Sequence, residues 1–178
     1  MSSGALNQAA TDTADLRTGA PLHDALLVLL PLVGRWTGAG QGVAPSGAEF
    51  SYGQHIGFVH DGRPFLAYES RTWLLNEDGS VLRQAWRESG FWRPGAGEDD
   101  VEVVIASNTG LALVFDGVAG DLSWELATTS AASAPNAKQV GGERRFYALV
   151  SDELAYATEL APAGADFAPH LNARLQRD

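Results

Sequence analysis

The stretch FSYGQHIGF, residues 50–58, alternates between two kinds of side chain with a period of two. Phe50, Tyr52, Ile56 and Phe58 fall on one face, with Gln54 between them. Such alternation predicts a β-strand that buries one side. Further runs rich in Val, Phe, Tyr, Trp and Thr follow along the chain, namely PFLAYESRTWLL, VLRQAWRES, VEVVIAS, LALVFDG, DLSWELATT, RRFYALV and ELAYATEL. The pattern predicts about ten strands.

Turn signals separate these runs, among them Asp61-Gly62, Gly95-Ala-Gly97 and Asn108-Thr-Gly110. No recurring helical pattern lies between the runs, which argues against a parallel α/β sheet. Many antiparallel strands joined by hairpins form a sandwich or an up-and-down barrel, and the continuous meander spacing favours the barrel. The sequence therefore predicts an all-β protein, an antiparallel up-and-down barrel of about ten strands that encloses a space for a ligand.

Two segments precede the predicted strands. Residues 1–20 are small and polar without a hydrophobic period, which predicts a disordered N-terminal tail. Residues 21–30, PLHDALLVLL, predict one short helix that ends before Pro31, because proline interrupts the helical hydrogen bonds. The predicted barrel domain, including this helix, covers residues 21–178.

Composition excludes several functional classes. The net charge is -10 and no long basic run occurs, which excludes ordinary nucleic-acid binding. The apolar run Ala25–Val33 is shorter than the roughly 20 residues that cross a bilayer, and no basic segment precedes it as in a signal peptide. Without cysteine, the chain has no disulfide, thiolate metal site or Cys nucleophile. These features predict a soluble, cytoplasmic protein that does not bind a membrane.

The run Gly34-Arg-Trp-Thr-Gly-Ala-Gly40 surrounds Trp36 with the glycines Gly34, Gly38 and Gly40. In structural terms, a large aromatic side chain closes one end of a barrel. The glycines let the first strand bend, or let another backbone come close. Taken alone, this motif is weakly specific, since several ligand-carrying barrel families have something similar.

Together with four later segments, the motif resembles the nitrobindin family, the heme-binding, lipocalin-like barrels once grouped with fatty-acid-binding proteins. The similar segments are Phe58–Leu66, Glu88–Pro94, Asn136–Val140 and His170–Leu175, so the resemblance spans about residues 25–177. Their occurrence in this order is far more specific than any single match.

The resemblance implies a ten-stranded barrel that holds one heme b per subunit near its mouth. The family's axial ligand corresponds to His170, and a lysine that contacts the heme corresponds to Lys138, the only lysine in the chain. Where the family often has Tyr-Pro-Thr-Ile, this chain has Ala44-Pro45-Ser46-Gly47. Ser46 retains the hydroxyl of a residue by the heme mouth, whereas the Tyr and Ile are absent.

The activity implied by the resemblance is isomerisation of peroxynitrite to nitrate at a five-coordinate, His-ligated ferric iron. Nitric oxide is a second expected ligand, and the protein is expected to be a monomer or homodimer. Histidine is also the natural strong ligand by composition, since cysteine is absent and the single methionine is Met1. Tyrosine ligation stays open in principle, and the pocket is expected to be lined mainly by Leu, Val and Phe.

Two other functions stay open at this point. The same cavity suits a non-enzymatic carrier of fatty acids or another apolar ligand, and the barrel also suits an interaction module. Taken alone, His170 is a histidine at a strand terminus whose orientation the sequence leaves open, while His23, His55 and His60 are predicted to be structural. The charged residues of the middle strands are predicted to face solvent or to form cross-strand pairs; they are Glu69, Arg71, Arg87, Glu88, Glu143 and Arg144.

Overall fold

The computed structural model describes residues 11–178, which form a closed barrel of ten antiparallel strands preceded by a 3₁₀ helix. The helix covers Asp24–Leu32. The strands are β1 Gly34–Val43, β2 Glu49–Val59, β3 Leu66–Leu75, β4 Val81–Pro94, β5 Asp100–Ser107, β6 Leu111–Ala119, β7 Ser123–Ser133, β8 Val140–Val150, β9 Glu153–Pro162 and β10 Ala168–Arg177. The predicted ten-stranded barrel with a short helix is confirmed.

Each strand pairs with its neighbours in sequence, and β1 pairs with β10 to close the barrel. Trp36 marks this seam, because it is opposite Ile56 of β2 on one side and Arg177 of β10 on the other. Closure gives every strand two partners, so the sheet has no edge that could pair with another chain.

Large apolar side chains fill the end of the barrel where β1 begins and β10 finishes. Trp36, Trp92 and Trp124 are fully buried there, and Phe58 packs edge-on against Trp92 with ring centroids 5.4 Å apart. The helix contributes its own buried residues to this core, which are Leu26, Leu29 and Leu32. This end of the barrel is therefore a packed core.

The helix differs from the prediction because it begins at Asp24 and continues through Pro31. In a 3₁₀ helix, the missing N–H of Pro31 leaves the carbonyl of Val28 without its helical donor. The indole Nε1 of Trp124 donates to that oxygen instead, at 2.9 Å. A barrel side chain thus supplies the hydrogen bond that proline cannot, which is why the helix continues past the predicted end. Among the described residues, no helix has the length and apolar character to span a membrane.

The segment predicted as a loose tail is described from residue 11 onward, and residues 1–10 lie outside the described part of the chain. Thr13 forms an isolated antiparallel bridge with His60 at the end of β2. The Thr13 N–H donates to the His60 carbonyl at 2.8 Å, and the His60 N–H donates to the Thr13 carbonyl at 3.0 Å. The segment that precedes the helix therefore makes backbone contact with the barrel at Thr13.

Candidate functional site

The end of the barrel opposite the helix is formed by the turns that follow β1, β3, β5, β7 and β9. Half-buried side chains line the inner wall there, notably Phe50, Leu74 and Trp86. Phe50 and Trp86 meet edge-to-face at 6.1 Å between centroids, and Tyr52 lies 5.9 Å from Trp86. We call this region the open end, because its apolar groups are only partly covered.

His170 lies at the open end, where β10 departs from regular pairing. Leu171, Ala173 and Leu175 are buried and share the inner face, so an unbroken strand would point His170 outward. The pairing with β9 shifts between Pro169 and Leu171, which makes His170 the extra residue of a β-bulge. A bulge re-aims the side chain that it carries. His170 is accordingly half-buried, whereas the next residue of that parity, Asn172, is exposed.

One hydrogen bond shows which nitrogen of the His170 ring carries the proton when the ring is neutral. Its Nδ1 lies 2.8 Å from the carbonyl oxygen of Val43, the last residue of β1. Since a carbonyl oxygen only accepts, Nδ1 carries the proton and donates. The lone pair of a neutral ring is then on Nε2. A backbone carbonyl on the other ring nitrogen is the usual support of a metal-binding histidine, so Nε2 is suited to bind a metal.

Lys138 and Ser46 lie in exposed loops at the same end of the barrel as His170. Lys138 belongs to the loop between β7 and β8, and Ser46 to the turn between β1 and β2. That turn is closed by the N–H of Gly47 donating to the carbonyl of Ala44 at 2.8 Å. Within the described residues, no hydrogen bond joins Lys138 or Ser46 to His170. The three predicted site residues therefore share one end of the barrel without a hydrogen bond from Lys138 or Ser46 to His170.

The glycines of β1 face inward and leave room for neighbours that a side chain would displace. A Cβ on Gly40 would overlap the carbonyl oxygen of Asn172 and lie 2.8 Å from the Tyr52 ring. The Tyr52 hydroxyl crosses this space and donates to the same Asn172 oxygen at 3.1 Å. Gly38 is similar, because its Cβ would overlap the Arg174 carbonyl oxygen. The motif thus lets β10 approach β1 closely beside the site.

The other three histidines lie away from His170 and serve local structure. The Nδ1 of His23 accepts a hydrogen bond from the Ala25 N–H and caps the helix. The Nε2 of His55 lies 3.7 Å from the Asp178 carboxylate near the opposite end of the barrel. His60 is buried at the far end of β2, where its backbone pairs with Thr13.

A buried ionic cluster lies inside the barrel, and here the prediction was wrong. Glu88 and Glu143, predicted to face solvent or to form cross-strand pairs, point inward and bind Arg145. Arg145 donates to both Glu88 oxygens at 2.7 and 2.8 Å, and the Tyr68 hydroxyl adds a bond to Glu88 at 3.0 Å. The interior also contains Tyr147, so it is more polar than the expected lining of Leu, Val and Phe.

The environment shifts the pKa values of the two carboxylates of this cluster in opposite directions. Burial raises the pKa of Glu143, and the nearby Arg145 only partly offsets that effect. Burial also acts to raise the pKa of Glu88, but the charge and hydrogen bonds of Arg145, with the Tyr68 hydroxyl, lower it overall. Burial raises the pKa of Tyr147 to about 12, so this phenol stays protonated. Glu88 is therefore the firmly ionised partner of Arg145, and Glu143 is the one that more readily takes a proton.

A signal for this cluster exists in the run Arg144-Arg145-Phe146-Tyr147, where adjacent arginines in one strand must face opposite sides. Phe146 obscures this signal, because an aromatic side chain suggests that its own parity is the buried one. In the barrel Phe146 is 40% exposed, and Arg145 on the other parity is 2% exposed. Arg144 is outside, where it pairs with Glu159 at 3.3 Å.

Comparison with known proteins agrees with this architecture. The family model described as "THAP4-like, heme-binding beta-barrel domain" matches residues 25–177. A crystal structure of Rv2717c from M. tuberculosis superposes with a TM-score of 0.77 at 32% identity, covering 88% of this chain and 99% of the other. The shared barrel therefore extends over nearly the whole domain.

Curated relatives match over almost the full length. A "Peroxynitrite isomerase" of Salinispora arenicola is 44% identical over 170 residues, covering 93% of this chain and 87% of the relative. A "Peroxynitrite isomerase 1" of Mycobacterium ulcerans is 43% identical over 175 residues, with coverage of 93% and 90%. A "Ferric nitrobindin-like protein" of Nocardia farcinica is 42% identical, with coverage of 93% and 72%. The chain belongs to the THAP4-like heme-binding β-barrel family, as the resemblance to nitrobindins predicts.

Proposed function

We propose that this protein binds one heme b through Nε2 of His170 and isomerises peroxynitrite to nitrate, with nitric oxide as a further ligand. The observation that carries the proposal is the hydrogen bond from His170 Nδ1 to the Val43 carbonyl oxygen, because it leaves Nε2 as the basic nitrogen at the open end. Membership of a heme-binding family and the names of the curated relatives support the same reaction.

The residues at the open end fit a heme. His170 supplies a neutral nitrogen ligand, and the half-buried Phe50, Leu74 and Trp86 supply an apolar wall for a flat macrocycle. When bound, the ferric iron supplies a Lewis acid for peroxynitrite. The protein contributes the ligand and its orientation, and the apolar wall limits access of water.

The overall reaction rearranges the atoms of peroxynitrite into nitrate without net transfer of a proton. No general acid or base is therefore required by the balance of the reaction. Phe50, Leu74 and Trp86, which line the open end, have no titratable side chains and agree with this requirement. The role assigned to His170 is to hold the cofactor, and that of Phe50, Leu74 and Trp86 is to shape the site.

Lys138 and Ser46 have supporting roles in this proposal. The ammonium group of Lys138 is exposed at the open end, where it can pair with a heme propionate. An exposed ion pair of this kind contributes about 0–1 kcal/mol. Ser46 offers a hydroxyl from the turn after β1, the strand whose last residue holds the His170 ring. Most of the affinity for heme is therefore assigned to His170.

Titration with hemin tests the ligand assignment. The wild-type chain is expected to give a saturable Soret band. His170→Ala is expected to lose this band or to bind hemin about 100-fold more weakly, the upper end of the loss in affinity when the support of a bound metal is removed. His55→Ala is the matched control, because His55 lies near the opposite end of the barrel, beside Asp178. Equal hemin spectra and affinities for the wild type and His170→Ala would remove His170 as the ligand.

Stopped-flow decay of peroxynitrite tests the reaction itself. Heme-loaded wild type is expected to speed the decay with nitrate as the product, and heme-loaded His55→Ala to match it. Heme binding without faster decay would leave a heme-binding protein that is not this enzyme. A fatty acid bound more tightly than hemin would instead support the carrier function, and binding of neither would support the interaction module.

Replacement of Lys138, the only lysine, tests whether its side chain pairs with a heme propionate. Lys138→Ala is expected to weaken hemin binding by up to about five-fold at low salt, and by less at high salt, because salt screens exposed charges. Gln139→Ala, at the next exposed position, is the control and is expected to bind like the wild type. A salt-independent loss in Lys138→Ala would contradict pairing with a propionate.

A further inference from the structure

The interior cation of this barrel is paired with two carboxylates. Among the described residues, Arg145 is the one buried Lys or Arg side chain. Its Nη1 and Nη2 donate to the two oxygens of Glu88 at 2.8 and 2.7 Å. Its Nη2 also donates to Glu143 Oε2 at 3.1 Å. Its Nε lies 3.0 Å from Glu143 Oε1 in an ion pair, without a hydrogen bond. Carboxylates thus cover two edges of the guanidinium plane.

The two carboxylates differ in their position relative to the open end. Glu143 and Arg145 share the inner face of β8, and Glu143 is two residues nearer the end of β8 that belongs to the open end. Glu88 reaches Arg145 from β4, across the barrel. Glu143 therefore stands between the open end and Arg145.

We propose that Glu143 determines which ligands the barrel accepts, by denying Arg145 to carboxylates that enter from the open end. A buried guanidinium with a free edge would bind a ligand carboxylate through paired, charge-assisted hydrogen bonds. With Glu143 in place, an entering anion meets a cation that is already neutralised and a second carboxylate beside it. Neutral apolar ligands meet no such penalty, because they need no ionic partner.

Glu143→Gln is the informative change. Glutamine keeps the size of the side chain and removes its charge, so a ligand carboxylate that approaches Arg145 no longer meets a second anion there. Glu88 still holds Arg145 through two short bonds, which keeps the guanidinium in place. The variant is therefore expected to gain a carboxylate site that the wild type lacks.

The test compares an acid with its own ester in the full-length chain prepared without heme. Binding of cis-parinaric acid and of its methyl ester is followed by the fluorescence of the polyene. The wild type is expected to bind the acid no more tightly than the ester. Glu143→Gln is expected to prefer the acid by about 10-fold or more, since a hydrogen bond to a charged group is worth about 1.5–3 kcal/mol.

Two further variants locate the effect. Glu159→Gln makes the same replacement on the outside of the barrel, where Glu159 pairs with Arg144, and is expected to keep the wild-type ratio. Adding Arg145→Met to Glu143→Gln removes the cation and is expected to abolish the preference for the acid. A preference that survives without Arg145 would overturn the proposal.

The ratio of the wild-type affinities for the acid and the ester also tests the proposal without any variant. A wild-type chain that binds the acid about 10-fold more tightly than the ester overturns the proposal, as does a folded Glu143→Gln with an unchanged ratio. If Glu143→Gln does not fold, Glu143→Asp withdraws the carboxylate by one methylene and is expected to move the ratio in the same direction. An unchanged ratio there overturns the proposal too. The result is independent of peroxynitrite chemistry, so either proposal can fail alone.

Discussion

His170 and Val43 are 127 residues apart in the chain, yet Nδ1 of the first lies 2.8 Å from the carbonyl oxygen of the second. The bond spans the seam at which β10 closes the barrel against β1. The orientation of the imidazole therefore depends on barrel closure, because its hydrogen-bond acceptor belongs to the first strand and the ring to the last.

Exogenous imidazole is expected to rescue a chain that lacks the His170 side chain. His170→Gly removes the ring at the bulge, and free imidazole can then supply the nitrogen ligand at the same place. Hemin bound to this variant is expected to recover the wild-type Soret spectrum as imidazole is added. The same imidazole series on the wild type is the control, and an identical response of both proteins would contradict a ligand role for His170.

Gly40→Ala is expected to destabilise the barrel, because the added Cβ overlaps the Asn172 carbonyl oxygen and crowds the Tyr52 ring. We expect a loss of about 2–3 kcal/mol in the free energy of unfolding, measured by urea denaturation. Gly57→Ala is the control, since its Cβ would have its nearest neighbour, Arg35 Nη1, at 3.8 Å. The control is expected to stay within about 1 kcal/mol of the wild type. Equal losses in both variants would argue against close approach at Gly40.

Trp124→Phe is expected to cost more stability than Trp92→Phe, although both indoles are fully buried. The first change leaves the Val28 carbonyl oxygen without the donor that replaces the missing N–H of Pro31. The Nε1 of Trp92 is buried without a hydrogen-bond partner among the described residues, so its loss breaks no bond. We expect a difference of about 1–3 kcal/mol in unfolding free energy. The reverse order would show that ring packing outweighs the bond to the helix.

The stability of Glu143→Gln relative to the wild type is expected to rise with pH. Burial raises the pKa of Glu143 in the folded state, so the folded chain holds this proton more tightly than the unfolded chain. The stability that Glu143 contributes is therefore present below its ordinary pKa and is lost as the pH rises through the folded value. Urea unfolding of both proteins at about pH 4 and about pH 8 measures how the difference in their unfolding free energies changes with pH. The expected change is about 1.4 kcal/mol for each unit by which the pKa of Glu143 is raised.

Glu88→Gln provides the opposite case in the same cluster. Arg145 and Tyr68 lower the pKa of Glu88 overall, so its contribution is present above its ordinary pKa and is lost as the pH falls. The stability of Glu88→Gln relative to the wild type is therefore expected to fall as the pH rises. If the stabilities of Glu88→Gln and Glu143→Gln relative to the wild type changed in the same direction with pH, the separate roles assigned to the two carboxylates would be contradicted.

Much of the fold could be predicted from local pattern. Alternation in stretches such as FSYGQHIGF, with turn residues between them, is sufficient for ten strands in meander order, because side-chain parity and turn chemistry act over a few residues. The length of the helix could not be predicted in this way. Pro31 is a local signal to stop, but the donor that lets the helix continue is Trp124, from a distant strand.

The chain by itself determined the barrel, the family and the identity of His170 as the candidate ligand, since each follows from residue type and order. Only the tertiary structure decided where that ring points and what lies beneath it. Parity leaves the direction of His170 open, and the bulge beside Pro169 together with the Val43 carbonyl sets it. Likewise, Arg145 can be buried only because Glu88 and Glu143 reach it from β4 and from its own strand. Pairing across the barrel is set by closure, which local alternation does not encode.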